Sequence, residues 1–259
     1  MEMVDAEKIR TAVRERYARA ALTGSTCCEP ASGASACCAP AADAGSCCDA
    51  PVSFADGRSL PEDIAVTSLG CGAPVEAAAL RPGETVIDLG SGAGLDVFLA
   101  VDRVGPAGRA IGVDMTAEMI ARARANAARL GATGVEFRLG EIEHLPIREE
   151  TADVVMSNCV INLLPDKRTA FAEAYRVLKP GGRLVVSDIV SDGTPVPEVL
   201  KTVERWTACL AGAIPVKEYI DTITQAGFQQ VEVLSSRNYA DGGLLSVTIR
   251  AAKPGRGRG

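Results

Sequence analysis

The stretch ETVIDLGSGAG, residues 84–94, constrains the fold more than any other part of the chain. Its β-branched, apolar first half reads as a short buried strand, and glycines at 90, 92 and 94 crowd the loop that ends it. Glycine lets a backbone turn tightly and approach a ligand where a Cβ would collide. Downstream, RAIGVD, VEFRLG, ADVVMS and RLVVSDIV read as further strands, each separated from the last by a helix-length segment. Such alternation predicts a doubly wound, Rossmann-like α/β sheet with helices on both faces. Its ligands would bind in the crevice at the strand ends. Two helices (PEVLKTVERWTACLAGA and VKEYIDTITQAGF) and two closing strands (QVEVLSS and SVTIRAA) then predict a smaller C-terminal α+β part.

Upstream of this region the chain has a different character. Residues 1–21 are expected to be helical, with Ile9, Val13 and Tyr17 on one face. The following GSTCCEPASGASACCAPAADAGSCCDAP repeats with a ten-residue period that places Cys27-Cys28, Cys37-Cys38 and Cys47-Cys48. So little large apolar side chain cannot offset chain entropy, which predicts disorder there. From residue 61 a short helix (PEDIAVTS) leads to the turn Gly70-Cys71-Gly72, and another helix starts near Pro74. The expected division is an N-terminal Cys-rich extension over 1–60 and a ligand-binding sheet over 61–190. Residues 191–259 complete the sheet and cover the acceptor site, with a loose tail over the last six residues.

Composition narrows the function classes. Apolar residues make up 47% and charged residues 23%, the mix of an ordinary globular protein. A net charge of -6 counts against a nucleic-acid partner, which usually meets a basic face. The charged start, MEMVDAEKIR, does not read as a signal peptide, and no window is apolar enough to span a membrane. A cytoplasmic location is expected. Nine cysteines, an odd number, in a reducing compartment then read as ligands, nucleophiles or small buried hydrophobes rather than disulfides.

The glycine loop fails the dinucleotide fingerprint, which requires Gly or Ala where Leu95 stands. It resembles instead motif I of the class I S-adenosylmethionine methyltransferases, which implies that cofactor, with Asp88, Gly90, Ser91, Gly92 and Gly94 around it. Asp114 ends the second strand, where an acidic side chain accepts ribose hydroxyls, and Met115 follows it. Glu141 and Ile142, in LGEIEHLP, resemble the family's adenine segment, although Glu141 stands where the family usually has Asp. Asn158, after the fourth strand, either touches cofactor or acceptor or stabilises its turn.

The methyl acceptor is read from the cysteines. The single histidine, His144, falls in the adenine segment, so no histidine general base is evident. Cys71, Cys159 and Cys209 stand alone in three separate segments. Each by itself suits an inert buried thiol, yet a doubly wound topology can bring all three to one mouth. Three soft thiolates suit a thiophilic trivalent centre, whereas zinc would prefer a fourth ligand. With the cofactor motifs, LGCGAPV, SNCVINL and TACLAGA resemble the arsenite methyltransferase family over residues 61 to 235 or so.

That resemblance implies trivalent arsenic bound by Cys71, Cys159 and Cys209, and arsenite as substrate in arsenic detoxification. It also implies a fourth, upstream cysteine, for which Cys47-Cys48 or Cys37-Cys38 are candidates. Arsenite would exchange its hydroxides for thiolates, and the arsenic lone pair would attack the sulfonium methyl in line. Glutathione or thioredoxin would keep the thiols reduced. The Cys-Cys repeats either capture arsenite for this site or form a plain linker. Two alternatives remain at this stage: a methyltransferase acting on carbon or oxygen of a small organic molecule, and a non-enzymatic metalloid-binding protein. The intact glycine loop and Asp114 count against the second. Asp188 is expected to cap a turn, Trp206 to lie in the core or wall the site, and Arg122, Arg124 and Arg129 to line a solvated face.

Overall fold

A computed structural model describes residues 6–23, 54, 60–61, 64, 72–194, 210, 212–240 and 243–256. An N-terminal helix, α1 (Ala6–Thr23), and a single helical turn, α2 (Pro74–Ala77), precede the sheet. The alternation then runs β1 (Thr85–Leu89), α3 (Leu95–Val104), β2 (Arg109–Asp114), α4 (Ala117–Leu130), β3 (Val135–Leu139), β4 (Ala152–Asn158), α5 (Lys167–Val177) and β5 (Leu178–Ser191). It closes with α6 (Val216–Gln225), β6 (Gln229–Ala240) and β7 (Leu244–Ala252).

The seven strands form one sheet in the order β3-β2-β1-β4-β5-β7-β6. The first five are parallel, and β7 lies antiparallel between β5 and β6. This is the doubly wound sheet of class I methyltransferases. All five residues of β1 are buried, because a central parallel strand is covered on both faces. Successive side chains along it enter opposite layers. Ile87 and Leu89 join a core with Phe171 and Tyr219 of α5 and α6, whereas Val86 packs with Val97 and Phe98 of α3. Each such side chain contributes about 1.5–3 kcal/mol on burial.

A third apolar cluster sits at the carboxyl ends of the strands. There Ile9 and Val13 of α1 pack with Cys159, Leu163, Ile189, Leu210, Ala213 and Leu244, and half-buried Tyr17 lies against them. The face expected on α1 is therefore the one it buries. The arginine face of α4 is solvated as expected, with Arg124 and Arg129 exposed and Arg122 half-buried, and two of its members also make tertiary bonds. Arg122 donates to Ala21 O at 2.8 Å and Arg124 to Phe137 O at 2.7 Å, so these two tie α4 to the end of α1 and to β3. The helix expected from Pro74 stops after one turn, where Ala79 takes a positive φ of 46°. β6 runs further than QVEVLSS because its long antiparallel partner β7 keeps supplying ladder bonds across register shifts.

The Cys-Cys repeats, Trp206 and nearly all of the expected helices over 61–68 and 197–213 lie outside the described residues. Among the described residues, no helix is long and apolar enough to cross a membrane.

Candidate functional site

β1 has β2 on one side and β4 on the other, so the winding reverses there and a crevice opens beyond the carboxyl ends of these strands. Asp88, Gly90, Ser91, Gly92, Asp114, Met115, Ile142, Asn158 and Cys159 line it, and α1 closes one side with Arg10, Val13 and Tyr17. Sequence reasoning placed the first set there and missed the contribution of α1.

The glycine loop hangs on β2: the amides of Gly90 and Ser91 both donate to Val113 O, at 2.8 and 3.0 Å. Gly90 has φ +68°, and a Cβ there would lie 2.3 Å from Cγ2 of Val160. Both facts demand glycine. Gly94, at φ +98°, starts α3 behind the loop rather than facing the crevice. Asp114 ties the loop to β2 a second time, accepting from Gly92 N at 2.9 Å and from Thr116 N at 2.8 Å. These two amide bonds and a third from the Thr116 side chain still leave lone-pair capacity on the carboxylate for a ligand hydroxyl. Burial raises the Asp114 pKa, and the two amide bonds partly oppose that rise.

Two more carboxylates share this floor. Asp88, 3% exposed, is pushed well above the usual carboxylate range by burial and then by the charges of Asp96 and Asp114. Asp96 rises to about 6, chiefly through burial, against a hydrogen bond from Asn158. Nothing in the sequence pattern marked Asp96, whose place on the first turn of α3 also suits a plain helix-start acid. The lining cation Arg10 is already paired with Glu143 at 3.1 Å. A floor of three mutually repelling carboxylates fits a cationic ligand, and a sulfonium amino acid carries two positive centres. Ser91 Oγ is buried with no hydrogen-bond partner among the described residues, which leaves it available to the same ligand.

Beyond β3 the chain makes a tight turn, with His144 N donating to Glu141 O at 3.1 Å. Ile142 faces the crevice. Glu141 does not line it; its carboxylate lies 3.4 Å from Arg14 of α1. Glu143 is the acid that points inward, buried and held by Arg10.

The opposite wall is the turn after β4. Asn158 lies at the strand end, and its side chain bonds both Gly72 and Asp96. Cys159 is 4% exposed and adopts a left-handed φ of +59°, with its amide donating to Ser187 O at 2.8 Å. A left-handed non-glycine residue costs on the order of 1 kcal/mol and persists only where its surroundings over-determine it. The following residues supply that. Asp188 Oδ2 accepts from Asn162 N at 3.1 Å and from the Tyr219 hydroxyl at 3.0 Å, and Asn162 Nδ2 donates to Ile189 O. Asp188 thus does more than cap a turn. Burial raises its pKa to about 7 against the charge of Lys167, and the Tyr219 hydroxyl is pushed well above its ordinary value.

One expectation is corrected at this wall. Cys159 was read as a free thiol, but it is half of a disulfide. The other eight cysteines, Cys71, Cys209, Cys47 and Cys48 among them, lie outside the described residues. Chain neighbours of two of them are described. Gly72 is bonded to Asn158, and Leu210 belongs to the apolar cluster around Cys159. Among the described residues, no group of three His, Cys, Asp or Glu side chains could hold a metal ion.

Residues 80–239 match the methyltransferase domain family. The chain is similar to the arsenite methyltransferase of Halobacterium salinarum, with 44% identity over 97% of this chain and 68% of that protein. It is also similar to the arsenite methyltransferase of Aquipseudomonas alcaligenes, with 40% identity over 64% of this chain and 49% of the relative. The chain thus spans about two thirds of the first relative and about half of the second. Among solved structures it resembles an arsenic(III) S-adenosylmethionine methyltransferase from Chlamydomonas reinhardtii, with 28% identity and a TM-score of 0.56 over 84% of this chain and 73% of that one.

Proposed function

The chain belongs to the methyltransferase domain family and, within it, to the arsenite methyltransferases, and from that membership we propose that it methylates trivalent arsenic held on its cysteine thiolates. Its cofactor is S-adenosylmethionine. When bound, this cofactor supplies an electrophilic methyl group on a sulfonium, which the lone pair of three-coordinate arsenic accepts.

The chain's own residues hold and orient the two reactants. Asp114 accepts the ribose hydroxyls on its remaining lone pairs, the backbone of Gly90 to Gly92 gives close approach, and Ile142 meets the adenine. Asp88 and Asp96 offset the ligand's positive charge. Val13 and Tyr17 of α1, with Met115, keep water out. Arsenite exchanges its hydroxides for thiolates, releasing one water for each thiol that binds, and needs no general base. The protein's main contribution is then positioning, with donor and acceptor about 3–3.5 Å apart and aligned.

The observation that carries this reading is the company around Cys159. It lines the cofactor crevice, and the chain neighbours of Cys71 and Cys209 lie against its surroundings. Residues 191–259 would close the arsenic site from that side. Because Cys159 is in a disulfide, arsenite capture needs prior reduction: two electrons and two protons from a thiol reductant such as glutathione or thioredoxin return two thiols. That requirement suits the cytoplasm. Cys47 and Cys48 are the proposed upstream capture pair.

The test is arsenic speciation by chromatography with mass-spectrometric detection after incubation with arsenite, S-adenosylmethionine and thiol. Methylated arsenic that appears only with cofactor and active protein is the expected result. Its absence, with cofactor binding demonstrated and the cysteines reduced, would overturn arsenic as the acceptor.

A further inference from the structure

The geometry points to Asn158 as a positioning residue that sets the separation between the chain segments carrying Cys71 and Cys159. This inference rests on the proposed arsenic chemistry and adds a residue that does not itself touch arsenic. The Asn158 side chain grips both polar groups of one residue: Oδ1 accepts from Gly72 N at 3.1 Å, and Nδ2 donates to Gly72 O at 3.0 Å. Nδ2 also donates to Asp96 Oδ2 at 3.0 Å, which fixes the amide's orientation from the α3 side. Gly72 is the chain neighbour of Cys71, and Asn158 is the chain neighbour of Cys159. Neighbouring Cα atoms are 3.8 Å apart, so a clamp between 72 and 158 bounds how far apart 71 and 159 can lie.

A second contact triangulates the same pair of segments on one residue of β5. Ser187 holds Cys159 by its backbone, accepting the cysteine amide at 2.8 Å. Its side chain meanwhile backs directly onto Gly72, where an added Cβ would lie 2.4 Å from Ser187 Cβ. Glycine at 72 is therefore what lets the upstream segment lie down on β5. Ser187 Oγ is itself held by Thr248 of β7 at 3.0 Å, so this surface is fixed by the sheet. The clamp and the platform fix Gly72 against the end of β4 and so limit the backbone separation available to two cysteines that are far apart in sequence. That arrangement raises the effective concentration of the second thiol once the first has bound arsenic.

The test uses the full chain with every cysteine except Cys71 and Cys159 changed to serine, fully reduced. The probe is phenylarsine oxide, a trivalent arsenical with two exchangeable positions. Its dissociation constant and that of S-adenosylmethionine are measured separately. Asn158→Ala should weaken the arsenical at least about tenfold. Asn158→Asp keeps the acceptor for Gly72 N but loses both donated bonds, and should fall between. Gly72→Ala, which drives a Cβ into Ser187 away from the crevice lining, should weaken the arsenical likewise with Asn158 intact, while cofactor affinity changes less than about threefold.

An Asn158→Ala protein that binds the arsenical as tightly as its parent overturns the positioning role. So does a parallel loss of both affinities in Gly72→Ala, because that pattern belongs to general disruption of the fold. The underlying arsenic reading fails differently: the parent itself would then bind the arsenical no better than its Cys71→Ser variant.

Discussion

The chain leaves β1 and β4 by turns that pose the same backbone problem and solve it with different residues. Beyond β1, Gly90 takes φ +68° and needs no further support for it than its two neighbouring amide bonds to Val113 O. Beyond β4, Cys159 takes φ +59°, which an L side chain resists. Ser187 O, Asp188, Tyr219 and Asn162 hold that second turn in place. The first turn brings bare backbone to the crevice, so it discards the side chain. The second brings a cysteine side chain to the same crevice, which under the proposed function binds arsenic once reduced, and buried polar partners hold it there. The two turns also touch, since Val160 occupies the space a Cβ on residue 90 would need.

The contrast predicts that the two turns fail in different ways. Cys159→Ser should leave the turn and cofactor binding in place but lower arsenic methylation by roughly a thousandfold or more, since an alcohol is a poor soft-metalloid ligand. Product speciation and cofactor titration on the same sample check this, and retained turnover would break the assignment of the thiol. Gly90→Ala should do the reverse. With Val160 in the way and a positive φ, cofactor affinity should weaken on the order of a hundredfold. Arsenical binding by the reduced cysteines should change far less. Isothermal titration with S-adenosylmethionine separates the two cases.

A smaller effect is expected from the support of the cysteine turn. The Asp188 carboxyl is raised to about 7 in the fold, while an unfolded Asp titrates near its ordinary 3.8. Between these values the folded chain binds a proton that the unfolded chain has released, so stability falls as pH rises through this window. Asp188→Asn should flatten that fall by about 4 kcal/mol, measured as chemical-denaturation midpoints across the window. An unchanged slope would mean that Asp188 is not the group that titrates. The smallest effect belongs to α1. Arg10→Ala removes the pair with partly buried Glu143 and should raise the KM for S-adenosylmethionine by roughly threefold, with kcat little changed. A larger rise would give α1 a greater share of cofactor binding than the crevice lining suggests.

The same contrast separates what could be read from the chain and what could not. The ligand-facing loop was legible because Gly90, Gly92 and Gly94 lie within one short stretch after an apolar strand, and local geometry alone demands them. Asp114, Met115 and Ile142 were legible for a related reason, since each follows a strand end that the alternation already located. Glu143 was not. Two glutamates of the same turn compete for the crevice, and Arg10 and Arg14, more than a hundred positions upstream, decide which one faces it. The outward face of α4 was legible from its amphipathic spacing, which does not say that the end of α1 lies against Arg122.

By itself the sequence determined the parallel α/β winding, the glycine-lined cofactor loop and the set of chemically able cysteines, because each rests on local periodicity or on a residue type no neighbour can replace. Only the tertiary structure decided which carboxylates share the crevice, that Cys159 is paired in a disulfide, and that Asn158 joins Gly72 to the end of β4. Those outcomes depend on bonds between residues up to 133 positions apart. Such contacts form only once the sheet has brought its strand ends together, and no pattern along the chain encodes their direction.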